Sequence, residues 1–155
     1  MNRSDDVAAA VDQVSNDPNV PVTADELLRA APNGRLTWWK SRRWLARNLK
    51  SAGKPKPGLG WEAHHIAPFA DTRFDEAVRC RDKLAEFGVD INGDVNGVWL
   101  PASRRIDGTA TVHRGLHTKT YYDALWRRLR DLDNKADVEA VLRQVGDELA
   151  AGTFP

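Results

Sequence analysis

A chain of 155 residues, 41% hydrophobic and 29% charged, lies within the size of one domain and can bury a core without staples. No apolar run approaches the ~20 residues of a bilayer span, and the single Cys80 excludes an internal disulfide and Cys-rich zinc modules, so any metal must use His, Asp or Glu. The net charge of +1, taken whole, argues against a nucleic-acid binder.

The distribution of charge reverses that inference. Residues 1–26 hold six acids against one base, a local balance of −5, which leaves +6 on the rest of the chain. Residues 1–22 contain two prolines and few large apolar side chains, and are expected to form an acidic, partly mobile leader. They carry no basic segment followed by an apolar one, so no secretory signal is read and synthesis in the cytoplasm is expected. Thr23 with Glu26 three residues on forms a capping box for a helix from about 24, which Pro32-Asn33-Gly34 stops.

From 35 to 52 the pattern is again helical. Trp38, Leu45 and Leu49 share one stripe, while Lys40, Arg43, Arg47 and Lys50 share another. Nine bases and no acid lie between Arg29 and Lys56, so this stripe faces either solvent or a nucleic-acid backbone. Lys54-Pro55-Lys56-Pro57-Gly58 reads as an extended linker, and the apolar run from Trp61 to Ile66 as a strand ending at Pro68. Asp71 or Thr72 is placed to cap a helix running to about Phe87, with Gly88 as its stop. Asn92-Gly93-Asp94 is a turn, Gly97-Val98-Trp99-Leu100 a second strand closed by Pro101, and 102–110 a polar loop. A helix is expected from near Thr111 to Arg130, and a last one from 134 to 150 with Val138, Val141, Leu142, Val145 and Leu149 at core spacing. The predicted class is α+β: mostly helical, with a small two-stranded antiparallel element and a metal-binding helix. Residues 23–155 form one domain, with its core at about 59–130 and flanking helices at about 24–52 and 134–150.

All four histidines fall in two clusters, His64-His65 at a strand end and His113-x-x-x-His117 in the expected helix. Two histidines four apart on a helix share a face, about 5–6 Å between Cβ atoms, so both can reach one ion. A strand-borne His64 would complete a three-His site with positions left open for water and phosphate. The competing reading is four ordinary surface or core histidines. Cys80, between Arg79 and Arg81, has no histidine left to activate it.

Three segments carry a resemblance: Glu62-Ala63-His64-His65-Ile66-Ala67-Pro68, Asn96-Gly97-Val98-Trp99-Leu100-Pro101, and His113-Arg114-Gly115-Leu116-His117-Thr118 with Tyr121-Tyr122. In order, type and placement they resemble the AHH nucleases of the HNH and endonuclease VII superfamily, over roughly residues 45–129. The pattern is also similar to the active sites of the DNase colicins. The resemblance implies a ββα-metal core and an HNH-type endonuclease that hydrolyses phosphodiester bonds with one divalent ion, Zn, Mg, Mn or Ni. His64, His113 and His117 would then hold the ion, and His65 would be the general base. Asn96 would accept a hydrogen bond from His65 and fix its tautomer, although Asn before Gly is also a common turn pair.

Nucleic-acid contacts are expected from Lys40, Arg43, Arg47 and Lys50, with Arg114 and Tyr121 beside the site; packing is the alternative for Tyr121, simple exposure for Arg114. The family context implies a non-specific DNase acting as a bacterial polymorphic-toxin module. Such a module is exported by a specialised secretion system, acts in the target-cell cytoplasm, and is monomeric apart from its complex with a cognate immunity protein, with no membrane partner. RNA or tRNA is the alternative substrate. A non-catalytic, metal-stabilised module binding nucleic acid or protein is the reading of a different class.

Overall fold

The computed structural model describes residues 35–155, with side chains from Ser41 onward. The acidic leader, the helix expected from about 24, and the side chains of Trp38, Trp39 and Lys40 lie outside the described residues. Four helices and two strands follow in the order α1 (Arg35–Ser51), β1 (Trp61–His65), α2 (Asp75–Glu86), β2 (Gly97–Pro101), α3 (Lys119–Leu129) and α4 (Lys135–Ala151). A 3-10 turn, Asp94–Asn96, leads into β2. The α+β class is as expected, and no helix among the described residues is long and apolar enough to cross a membrane.

β1 and β2 pair antiparallel, with Ala63 opposite Trp99, His64 opposite Val98 and His65 opposite Gly97. Because side chains alternate along a strand, β1 divides two apolar clusters. Ala63 joins Leu45 and Leu49 of α1 on one face. On the other, Ile66 and Leu100 belong to the main core, with Leu84 of α2, Tyr121, Leu125 and Leu129 of α3, and Val138, Leu142, Val145 and Leu149 of α4. Gly97 is extended, so its freedom is not used for a turn. A Cβ there would lie 2.5 Å from Leu45 Cδ1, and the missing side chain lets α1 lie directly against the sheet beside His65.

Two helix starts differ from expectation. α3 begins at Lys119, not near Thr111, because Gly115 sits at φ 74° and breaks any helical run through the second histidine pair. Thr118 is then the cap, its hydroxyl accepting from the Tyr121 amide at 3.2 Å. His113 and His117 therefore lie in the loop before the helix, and the expected metal-binding helix carries neither. α2 starts at Asp75 with no side-chain cap. Asp71 is engaged elsewhere: its carboxylate accepts from the Arg73 backbone and guanidinium and from the Tyr122 hydroxyl.

Candidate active site

The end of β1, the loop preceding α3, and the turn before β2 converge on the four histidines. Strand alternation sends His64 and His65 to opposite sides. His64 meets the loop histidines, with its ring centroid 4.7 Å from that of His117 and 5.3 Å from that of His113. Rings sharing one ion at ordinary metal–nitrogen distances stand roughly 5 Å apart. His65 points instead toward α1 and the 92–96 turn.

Each ring of the cluster has one nitrogen tied to the protein. The Tyr121 hydroxyl donates to the Ile66 carbonyl at 2.8 Å, so its oxygen accepts from His64 Nε2 at 3.2 Å. His113 Nδ1 bonds the Glu62 carboxylate, which Arg42 also approaches at 3.5 Å. His117 Nε2 donates to the His65 carbonyl at 3.3 Å. His64 Nδ1, His113 Nε2 and His117 Nδ1 are left as lone-pair nitrogens, the division that carboxylate–histidine–metal arrangements use. His64 Nδ1 is buried and has no hydrogen-bond partner among the described residues. An orphaned buried acceptor beside two other imidazoles fits a cation. As the side chains stand, no group of three or more His, Cys, Asp or Glu among the described residues is arranged to hold an ion.

Ligation requires the neutral form of an imidazole. Burial, reinforced by neighbouring imidazoles, drives His64 well below the usual histidine value, and burial also lowers His117. Burial raises Glu62, but the hydrogen bond and charge of His113, with Arg42, outweigh it and leave the carboxyl lowered. His117 stacks on Tyr122 at 5.4 Å, and Arg73 donates to its carbonyl at 3.1 Å.

His65 has its own polar network. Its Nε2 lies 2.9 Å from Asn92 Oδ1 and 3.2 Å from Ser41 Oγ, and Ser41 donates to the same Asn92 oxygen at 2.6 Å. An amide oxygen only accepts, so His65 carries its proton on Nε2 and keeps Nδ1 as a base. Burial pushes His65 down to about 4, against the opposing hydrogen bond that His65 donates to Asn92.

The expected bond from His65 to Asn96 is absent and is corrected to Asn92. Asn96 is fully buried and clamps backbone: Oδ1 accepts from Ala67 N at 2.7 Å, and Nδ2 donates to Ala67 O at 3.0 Å and Ile91 O at 2.8 Å. Tyr121 is likewise corrected as a nucleic-acid contact, because it is fully buried behind His64. Arg43, Lys50 and Arg114 are exposed and Arg47 is half-buried. Sequence reasoning missed Glu62, Arg42, Ser41 and Asn92. Only Glu62 carried a usable signal, two residues before His64 and so on its face of the strand. A cavity of about 490 Å³ lies apart from this chemistry, lined by Leu49, Trp99, Leu142 and Gly146 among others and by none of the histidines.

The His65 network on one side of the strand end and the ring cluster of His64, His113 and His117 on the other make up the candidate site. The chain belongs to the AHH family, a nuclease family of the HNH/ENDO VII superfamily with conserved AHH, whose family model matches residues 45–150. Here the AHH is Ala63-His64-His65. Membership implies a nuclease, and hence a nucleic-acid substrate. No curated protein and no solved structure matches the chain.

Proposed function

We propose that this nuclease is a metal-dependent endonuclease that cuts DNA with little sequence preference, with His64, His113 and His117 holding one divalent cation and His65 acting as general base. The observation that carries the metal is the buried, unpartnered Nδ1 of His64 beside the rings of His113 and His117. A cation held there would supply charge stabilisation to the phosphate and the departing oxygen. The chain's own groups do the rest. Asn92 and Ser41 hold the His65 ring with Nδ1 as its lone-pair nitrogen, which takes the proton of the attacking water. Glu62 and Tyr121 fix the rings of His113 and His64. Exposed Arg43, Lys50 and Arg114 offer charge to the backbone of the substrate.

Purified protein with Mg²⁺, Mn²⁺, Zn²⁺ or Ni²⁺ is expected to degrade plasmid DNA. Degraded total RNA beside intact plasmid would overturn the DNA assignment. His65→Ala, and His65→Gln if the first variant unfolds, should bind metal but lose cleavage; unchanged cleavage would remove the general-base role. The resemblance further supports a toxin module neutralised by an immunity protein. Expression in a bacterial cytoplasm should then kill with His65 and spare with His65→Ala, and equal growth of both would sink the toxin role.

A further inference from the structure

We propose that Leu59 and Ile106, rimmed by Arg104, Arg105 and Arg114, form an apolar wedge that enters the minor groove of duplex DNA beside the histidine site. The inference rests on the DNA-endonuclease reading and adds the element that engages the bases. Leu59 and Ile106 are the large hydrophobic side chains exposed among the described residues, at 95% and 39%. They come from separate loops and are held together. Ala102 N donates to Gly60 O at 2.8 Å, and the Ile106 side chain packs over Gly60 so closely that a Cβ there would lie 2.3 Å from Ile106 Cδ1. Leu59 thus stands at the tip of a Gly58-Leu59-Gly60 loop whose base is fixed by its neighbour. An adjacent exposed apolar pair on a polar rim marks a contact site more strongly than scattered single residues do.

The position ties the pair to the chemistry. Leu59 precedes Glu62, the partner of His113, by three residues, across a turn in which Gly60 takes φ 78°. On the other side, Pro101, next to Ala102, accepts from the His113 amide at 3.0 Å. The charge around the pair selects a polyanion. Lys56, Arg104, Arg105 and Arg114 are exposed. The acids nearby are engaged: Asp107 accepts from Thr109 and Ala110 in its own loop, and Glu62 is held by His113 and Arg42. A branched apolar side chain flanked by arginines is the equipment with which proteins part a base step from the minor groove, where the arginines also meet enhanced negative potential.

The test compares the full-length wild type with Leu59→Ser, Ile106→Ser and Arg104→Ala/Arg105→Ala, using a 20-base-pair duplex with an internal 2-aminopurine and, in parallel, the small diester bis(p-nitrophenyl) phosphate. Wild-type binding should raise the 2-aminopurine fluorescence, reporting unstacking. Leu59→Ser should abolish that rise and increase KM for duplex about tenfold relative to the small diester, the scale of one leucine's contact. The double arginine variant should lower the slope of log affinity against log salt by about 2. Unchanged duplex KM and fluorescence in Leu59→Ser would overturn the wedge. So would binding of wild type to anionic vesicles that Leu59→Ser loses while duplex affinity holds. A wild type that cleaves neither duplex nor diester would instead refute the underlying catalytic reading.

Discussion

Asn92 and Asn96 each precede a glycine within the same turn, yet the structure gives them opposite roles, and one pair of substitutions separates these. Asn92 Oδ1 receives both His65 and Ser41, so Asn92→Ala deletes two buried hydrogen bonds and leaves a hydroxyl and an imidazole N–H to repartner with each other. At about 1 kcal/mol net per bond, the stability loss is about 2 kcal/mol, and the released His65 ring should lower kcat by about 10- to 100-fold. Asn96→Ala strips three backbone groups, Ala67 N, Ala67 O and Ile91 O, of their partner in a fully buried position. Orphaned buried groups cost about 1–3 kcal/mol each, so the loss for the three is on the order of 3–9 kcal/mol, a large part of a domain's ~5–15 kcal/mol. Urea unfolding followed by fluorescence gives the stabilities, and plasmid nicking at a temperature where both variants remain folded gives the rates. Near-wild-type turnover in folded Asn92→Ala, with turnover abolished in an equally stable Asn96→Ala, would refute the reassignment.

Three further outcomes follow from the packing. The Arg73 guanidinium and the Tyr122 hydroxyl hold the Asp71 carboxyl at about 2, below its usual 3.8. The folded chain then binds fewer protons than the unfolded chain between those values, so this contribution is complete above about pH 4 and is lost as pH falls toward 2. With Arg73 largely exposed, the contribution is about 1 kcal/mol after screening; Asp71→Asn should flatten stability over that window, and an unchanged acid limb in urea titrations would contradict it. Burial, with Glu76 nearby, pushes the Cys80 thiol up to about 12. It should resist Ellman's reagent until the chain unfolds, and labelling faster than unfolding would show that α2 opens locally. Gly97→Ala places a Cβ 2.5 Å from Leu45 Cδ1 and 3.2 Å from Leu49 Cδ2 and should cost about 1–3 kcal/mol, read as a lowered melting temperature. A neutral result would mean that α1 does not lie against the sheet as tightly as described.

The elements with a strong period were legible in the sequence. The helical stripe expected over 35–52 is α1, ending at Ser51, and the run expected over 134–150 is α4, displaced by one residue. Both strands sit where short apolar runs bounded by prolines placed them. The histidine pattern also anticipated a spatial grouping, since His64, His113 and His117 form one ring cluster. What failed was any inference for which one local pattern serves two structures. A spacing of four reads the same on a helix and in a loop folded back at Gly115. Two Asn-Gly pairs four residues apart look alike until tertiary contacts decide which amide meets His65. Ser41 and Arg42 act across separations of twenty residues or more, and nothing in their own neighbourhood announces a partner.

The loop placement of His113 and His117 changes what holds the site together. On a helix, both Cβ vectors would be fixed by one rigid element and the pair would move as a unit. Here the two residues are anchored to different parts of the molecule. His113 is tied to the strand pair, through its amide to the Pro101 carbonyl and its ring to Glu62. His117 is tied to both sides: its ring donates to the His65 carbonyl at the end of β1 and stacks on Tyr122 of α3, and its carbonyl is bonded to Arg73 just ahead of α2. Gly115 is the joint between them. His117 therefore joins the α2–α3 pair to the end of β1, and His64 spans both sides through Tyr121. A cation shared by the three rings would cross-link the two halves, so metal binding and the packing of α3 on β1 must be thermodynamically coupled.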